Sequence, residues 1–212
     1  MNTLFFLLAI IPSIILHEIS HGYVANLCGD PTAKNAHRLT LNPVRHIDPF
    51  GTLLLPFLLI VTGLPAFGWA KPVPVNIGRL RKPRTQSLYV SLAGPLTNII
   101  LSGIAFIYVR YEIHHSNNFA LFNGNTFFSF MVDLGIVNLI LAVFNLLPIP
   151  PLDGSAVIER FVPVRHLPRY YQMRARALPF VMALLILNAL TFHVGTTWLS
   201  SLAQHWFNLA AG

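Results

Sequence analysis

Five long apolar stretches, separated by short polar loops, dominate this sequence. They cover residues 3–27, 50–69, 88–109, 127–147 and 178–197. A helix needs about 20 mostly apolar residues to cross the hydrocarbon core of a bilayer. The last three stretches meet that length, and the first meets it if three ionisable side chains are tolerated within it. The pattern predicts a polytopic membrane protein.

The charge content supports a membrane location. Only 10% of the residues are charged, against roughly 25% in an ordinary soluble domain, so much of the surface must face lipid. The net charge of +7 lies in loops beside apolar stretches, which favours the cytoplasmic face of the cell (inner) membrane over a nucleic-acid partner. We therefore predict an all-α, multi-pass protein with about four to six membrane segments, forming one integral membrane domain over 1–212.

Residues 17–21 read His-Glu-Ile-Ser-His, with two histidines four positions apart. On a helix these histidines lie on one face, so both imidazoles can bind one metal ion, while Glu18 can reach a water molecule beside it. Helix packing is the other interpretation of these side chains. Three ionisable groups in a spanning segment cost on the order of several kcal/mol, however, and such groups are usually functional. The spacing therefore predicts a metal site that uses His17 and His21.

A catalytic zinc usually has three protein ligands, so one more residue must contribute. Leu27 occupies the place of a metzincin third histidine, and Cys28 lies about 10 Å along the helix from His21, which is too far. Asp153 ends a run from 145 to 154 that contains three prolines. Non-helical backbone at membrane depth is tolerated where it lines a cavity or is buried in protein. We therefore predict Asp153 as the third ligand.

The loop charges test this assignment, because His17 and Asp153 can share an ion only near the same membrane face. If all five stretches cross, the best orientation places ten Lys and Arg residues inside and four outside, with these two residues on opposite faces. If 50–69 is re-entrant and the N-terminus is outside, thirteen lie inside and one outside. The positive-inside rule thus favours a re-entrant segment, with His17 and Asp153 both near the cytoplasmic face.

With these residues assembled, the sequence resembles the site-2 protease family of intramembrane zinc metalloproteases. The resemblance rests on three motifs in order, namely His-Glu-Ile-Ser-His at 17–21, Ala-Gly-Pro-Leu-Thr-Asn at 93–98, and the run 145–154 with Leu-Asp-Gly at its end. The chain is most similar to the short bacterial members without PDZ or CBS domains. Within the second motif, Asn98 is expected to make a helix–helix hydrogen bond.

The resemblance implies a three-helix catalytic core over about 1–160 that hydrolyses peptide bonds within or near the transmembrane segments of single-pass membrane proteins or peptides. Glu18 would be the general base, and Asn145 would lie near the substrate carbonyl. A short edge strand at 68–75 would bind the substrate as an added strand. One zinc ion per chain would be held by His17, His21 and Asp153.

Three alternatives remain open. A non-catalytic zinc-binding scaffold or chaperone would not need the base Glu18. A small transporter could use the same polar side chains as an ion path, although the chain has no pair of similar halves. A membrane zinc protease with a glutamate ligand would require Glu112 or Glu159 to reach the metal.

The C-terminal part, about 177–210, is predicted to form a membrane helix followed by an interfacial tail. Apolar residues recur at helical spacing after 197, and two tryptophans, Trp198 and Trp206, are among them. Tryptophan is enriched at membrane–water interfaces. We therefore expect both to act as aromatic anchors.

Overall fold

The described part of the chain is helical and contains three helices that are long enough to span a membrane. The computed structural model describes residues 3–61, 70–115, 125–174, 176–177, 180–181 and 194–212. The helices are, in chain order, α1 (Thr3–Leu27), α2 (Thr32–Asn35), α3 (Leu55–Val61), α4 (Pro83–His115), α5 (Thr126–Leu146), α6 (Ser155–Phe161) and α7 (Val194–Ala211). Residues 167–174 are also helical. Shorter turns connect them, of 3-10 type at Pro43–His46, Ile77–Arg79 and Val164–His166, and of π type at Pro49–Leu54.

The spanning helices are α1, α4 and α5, each of which contains a stretch apolar and long enough to cross a bilayer. This confirms the predicted all-α, polytopic membrane fold. It includes the first stretch, whose helix continues through His17, Glu18 and His21 to Leu27. Two of the five predicted stretches are described only in part. The stretch 50–69 lacks residues 62–69, and most of the stretch 178–197 is lacking, including 182–193. The re-entrant course of 50–69 and the single domain over 1–212 therefore stay predictions.

Side-chain caps and prolines set several helix ends. The side chain of Asn125 accepts hydrogen bonds from the Phe127 and Phe128 N–H groups, which open α5. Pro148 follows soon after the end of α5 and cannot donate the hydrogen bond that would continue it. Asp48 caps the turn at Pro49–Leu54 in the same way as Asn125 caps α5. These caps and prolines explain where the helices begin and end.

Residues 14–94 form one compact unit. Its apolar core contains Ala25, Leu80 and Val90. One close approach in this unit is at Gly22, where a Cβ atom would lie 2.7 Å from side-chain atoms of both Leu39 and Val73. The missing side chain at Gly22 therefore lets α1 pack directly against two of the loops that follow it.

Residues 1–13 together with 95–212 form a second compact unit. Its core packs α5 against α7. A Cβ atom at Gly135 would overlap the indole of Trp206, and the Trp206 Nε1–H donates to Ser102 Oγ at 3.1 Å. The side chain of Trp206 is only 6% exposed. Its predicted role as an interfacial anchor is therefore wrong, because helical spacing does not distinguish a face in contact with protein from one in contact with headgroups.

A chain of buried polar side chains also lies within this second unit. Asn98 Nδ2 donates to Asn138 Oδ1 at 2.7 Å, Asn138 Nδ2 donates to Ser13 Oγ at 2.8 Å, and Ser13 Oγ donates to the Ala9 carbonyl at 2.7 Å. All three side chains are fully buried. The helix–helix hydrogen bond expected of Asn98 is thus confirmed, and Asn138 is its partner.

Candidate metal centre

The two histidines of the first motif lie one turn apart on α1, and their Nε2 atoms converge. These atoms are 3.1 Å apart. The rings stand edge to face, with centroids 4.7 Å apart. Both side chains are buried, at 7% and 8% exposure. The geometry brings His17 and His21 together as the sequence predicts, with two nitrogen donors facing a common point.

A main-chain carbonyl fixes the tautomer of His21. Its Nδ1 lies 2.6 Å from the Val90 carbonyl oxygen, which can only accept a hydrogen bond. The proton of neutral His21 is therefore on Nδ1, and the lone pair of Nε2 is available to a metal ion. Histidine ligands of metals usually have such an outer partner, which orients the ring and raises its basicity.

Gly94 leaves space next to the histidine nitrogens. A Cβ atom at Gly94 would lie 2.5 Å from Nε2 of His17 and closer still to Nε2 of His21. Any larger residue would therefore fill the volume that a metal ion needs. Gly94 belongs to the second sequence motif, and no spacing in the sequence relates it to the histidines.

Glu18 is held by the main chain of another segment. Its Oε2 accepts a hydrogen bond from the Val73 N–H at 2.9 Å. The side chain is partly exposed, so it is neither buried in the helix packing nor free in solution. This contact was not predicted, because nothing in the sequence relates residues 18 and 73.

Residues 70–76 are neither helix nor strand, and no residue that the structure describes forms a strand. Residues 68 and 69 of the expected edge strand are outside the described residues. The N–H of Lys71 donates to the His46 carbonyl at 2.9 Å, and the carbonyl of Lys71 accepts from Arg38 Nη2 at 2.7 Å. The expected edge strand is therefore wrong over 70–75, because the main chain there binds a loop carbonyl and a side chain in place of a neighbouring strand.

Asp30 binds the far end of this segment. Its Oδ2 accepts from the Asn76 N–H at 2.6 Å, and its Oδ1 accepts from the main chain and hydroxyl of Thr32. Burial by itself would raise the pKa of Asp30, but these hydrogen bonds outweigh it and hold the pKa below its ordinary value of 3.8. Asp30 is therefore ionised at neutral pH and serves as an acceptor for the loop.

Asp153 and Asn145 belong to the other compact unit, where they lie at either end of the proline-containing turn after α5. The Gly154 N–H donates to the Asn145 carbonyl at 2.7 Å, which folds the turn back on the end of α5. A Cβ atom at Gly154 would overlap the Leu146 carbonyl, so the turn needs glycine there. One carboxylate oxygen of Asp153, Oδ2, is buried. The Asn145 side chain donates back to the Leu141 carbonyl at 3.0 Å.

The two glutamates of the alternative protease class have other partners. Glu159 Oε1 accepts from the Tyr171 hydroxyl at 2.8 Å, and its Oε2 lies 3.6 Å from Arg174 Nη1. Burial, followed by this hydrogen bond, raises the pKa of Tyr171 to about 12. Glu112 is hydrogen-bonded to Tyr108 on the same helix. These contacts favour structural roles for both glutamates.

The chemistry of the donors in α1 suits zinc. Two neutral imidazoles are typical zinc ligands, and a carboxylate commonly completes a three-ligand set that leaves one position for water. The tautomer fixed at His21 and the space beside Gly94 both favour a metal ion at this position. The residues therefore fit zinc.

Comparison with known proteins decides the family. A model of peptidase family M50 matches residues 5–117 and 112–188. The protein named "Putative zinc metalloprotease YwhC" from Bacillus subtilis is 45% identical over 162 residues, which are 75% of this chain and 69% of that protein. The chain belongs to peptidase family M50. This confirms the resemblance to site-2 proteases.

Other relatives carry the same type of name. "Putative zinc metalloprotease Rip2" from Mycolicibacterium smegmatis is 33% identical over 150 residues, and the match spans 69% of this M50 chain but only 53% of Rip2. "Putative zinc metalloprotease MJ0611" from Methanocaldococcus jannaschii is 29% identical over 154 residues, 72% of this chain and 68% of that protein. No solved structure matches the chain. Family and names together support a membrane zinc metalloprotease of the site-2 protease type.

Proposed function

We propose that this M50 chain is an intramembrane zinc metalloprotease that hydrolyses peptide bonds within or near the transmembrane segments of single-pass membrane proteins or peptides. The observation that carries the proposal is the arrangement on α1, where two converging histidine nitrogens flank a glutamate held by a main-chain N–H. This helix is apolar and long enough to span a bilayer. A hydrolytic centre on such a helix would act on peptide bonds at membrane depth.

His17, His21 and Asp153 are the proposed ligands of one zinc ion per chain. The buried carboxylate oxygen of Asp153 and the fixed turn that carries it support the third assignment. The distribution of basic loop residues supports it independently, because the orientation with thirteen Lys and Arg inside puts residues 17 and 153 toward the cytoplasmic face. When bound, zinc lowers the pKa of water to about 7 and polarises a carbonyl oxygen.

Glu18 is the proposed general base. Its carboxylate takes a proton from the attacking water while the new C–O bond forms at the scissile carbonyl carbon. It then delivers that proton to the amide nitrogen as the C–N bond breaks, so one water is consumed and a carboxylic acid and an amine are formed. Asn145 is the proposed polar contact to the substrate carbonyl. Its side-chain amide has two N–H donors, and the bond to the Leu141 carbonyl uses one of them.

Zinc content and cleavage test this proposal together. We expect about one zinc per chain in detergent-purified wild type, and at least about tenfold weaker zinc binding after Asp153→Ala. The Glu18→Gln variant should keep its zinc but lose about 100-fold or more of its cleavage of a fluorogenic single-pass helix in proteoliposomes. Glu112→Gln, which changes a glutamate on α4, is the matched control and should behave like wild type.

The possible results separate the proposed function from its alternatives. Full cleavage by Glu18→Gln would exclude Glu18 as the base. Zinc retained without Asp153 would mean that another residue is the third ligand. Wild-type protein that holds zinc and cleaves no helix would favour a zinc-binding scaffold, and protein without zinc would favour a scaffold or a transporter.

A further inference from the structure

We propose that Arg38 is a positioning residue of the M50 catalytic centre, because its buried guanidinium holds residues 71–73 where the Val73 N–H binds Glu18. The inference rests on the proposed function, in which Glu18 is the general base. All of the residues concerned lie within the compact unit 14–94. Arg38 itself has no part in the proposed zinc site.

The first step is that segment 70–76 depends on contacts from outside it. It contains neither helix nor strand, so it has no regular hydrogen-bond pattern of its own. Its main chain is bound at one end by Arg38 and by the His46 carbonyl, and at the other end by Asp30. Backbone groups in such a segment must find partners elsewhere, and those partners determine its course.

The second step concerns the guanidinium. Arg38 is only 7% exposed, and a buried cation is costly unless it is hydrogen-bonded. Its Nη2 donates to the Lys71 carbonyl at 2.7 Å and lies 3.4 Å from the Pro72 carbonyl. These two carbonyls immediately precede Val73. Arg38 therefore fixes the main chain directly next to the N–H that Glu18 accepts.

The third step connects the segment to the helix that bears the base. A Cβ atom at Gly22 would lie 2.7 Å from side-chain atoms of both Leu39 and Val73. The neighbour of Arg38 and the partner of Glu18 thus pack on the same turn of α1, just after the His-Glu-Ile-Ser-His motif. A shift of residues 71–73 would reach Glu18 without an intermediate element.

The chemical consequence follows from the rotational freedom of glutamate. Without the Val73 contact, Glu18 could adopt several rotamers, of which few place its carboxylate next to the attacking water. Arg38→Met keeps the apolar stem and removes the donor. We expect it to lower kcat by about 10- to 100-fold, because a small misplacement of a catalytic group has that effect. Zinc content should match wild type, because zinc binding does not depend on the Glu18 rotamer.

Two further variants distinguish positioning from general damage. Arg38→Lys keeps a cationic donor on a shorter stem, so it should recover several-fold in kcat over Arg38→Met. Arg45→Met removes an exposed arginine from the same loop and should leave kcat unchanged. A fluorogenic single-pass helix in proteoliposomes is the substrate for all variants.

The main-chain donor can be tested directly. Val73→Pro removes the N–H, and Pro74 already restricts residue 73 to the extended region that proline accepts. Val73→Ala trims the side chain but keeps the N–H. We expect Val73→Pro to lose at least about tenfold more kcat than Val73→Ala, with zinc retained in both.

Hydrogen exchange gives a readout that needs no substrate. In wild type the Val73 amide should exchange slowly, and in Arg38→Met it should exchange at least about tenfold faster, while amides in α5 are unchanged. Unchanged exchange at Val73 in Arg38→Met would overturn the role of Arg38. A loss of kcat in proportion to a loss of bound zinc in that variant would overturn it as well. Wild type that neither binds zinc nor cleaves would overturn the proposed function instead, and the exchange measurement would still decide whether Arg38 holds the segment.

Discussion

Gly94 illustrates how a single absent side chain can determine whether a metal fits. Its α-carbon faces the Nε2 atoms of His17 and His21, and a methyl group there would lie within 2.5 Å of the His17 nitrogen. Gly103 lies nine residues further along α4, and a Cβ atom there would have no neighbour within 4 Å. The two glycines share a helix and differ only in what they face.

We therefore predict that Gly94→Ala weakens zinc binding by at least about tenfold, measured as zinc per chain against a competing chelator. Gly103→Ala is the matched control. It should keep wild-type zinc affinity and change the free energy of unfolding by no more than about 1 kcal/mol, in the stabilising direction. Equal zinc affinity in the two variants would mean that the metal does not lie against Gly94.

At the residue scale, the histidine pair could be predicted from sequence, because an i, i+4 spacing on a helix leaves little geometric freedom. The residues that hold the catalytic groups in place could not be predicted from the sequence. Arg38 is one of several basic loop residues in the sequence, which indicates only a charge that orients the protein in the membrane. Its burial and its two carbonyl acceptors depend on long-range packing, which no local pattern encodes.

At the scale of elements, apolar length predicted α1, α4 and α5 because a spanning helix must match the bilayer thickness. The bounds differ where the helix continues into polar sequence. α4 begins at Pro83 and ends at His115, whereas the apolar stretch covers 88–109. Once the hydrogen-bonded spiral has formed, adding polar residues at its ends costs little, so hydropathy underestimates helix length.

The buried asparagines make a testable prediction at this scale. Asn98 and Asn138 are fully buried and joined by a hydrogen bond of 2.7 Å between α4 and α5. In a double-mutant cycle of Asn98→Ala and Asn138→Ala, we expect a coupling energy of about 0.6 to 1.7 kcal/mol in unfolding from detergent micelles. Ser200→Ala, which removes an exposed hydroxyl on α7, should change stability by less than about 0.5 kcal/mol. Strictly additive asparagine variants would show that the bond has no net stabilising effect.

At the scale of the whole molecule, the distribution of basic residues predicts where each loop lies. The favoured orientation places the loops on either side of 50–69 on one side of the membrane, and the loop after α4 on the other. The structure offers exposed reporter positions in each, at Val44, Lys71 and His114. The native Cys28 would first be replaced by alanine, because it is a free thiol.

We predict that Val44→Cys and Lys71→Cys react with a membrane-impermeant maleimide only after intact spheroplasts are permeabilised, whereas His114→Cys reacts before. The physical reason is the strong bias of Lys and Arg toward the cytoplasmic side of short loops. Labelling of Val44→Cys and Lys71→Cys from opposite sides would contradict a re-entrant 50–69. It would also separate the proposed ligands His17 and Asp153 across the bilayer.

The sequence around Val73 limits how segment 70–76 can slide. Val73 stands between Pro72 and Pro74, and proline has no N–H to donate. A shift of the chain by one position in either direction would place a proline nitrogen, which has no hydrogen to donate, opposite Glu18. The alternation of proline and valine therefore sets the register of the segment against α1. A deletion or insertion of one residue before Val73 would place a proline opposite Glu18 and remove the hydrogen bond to the base.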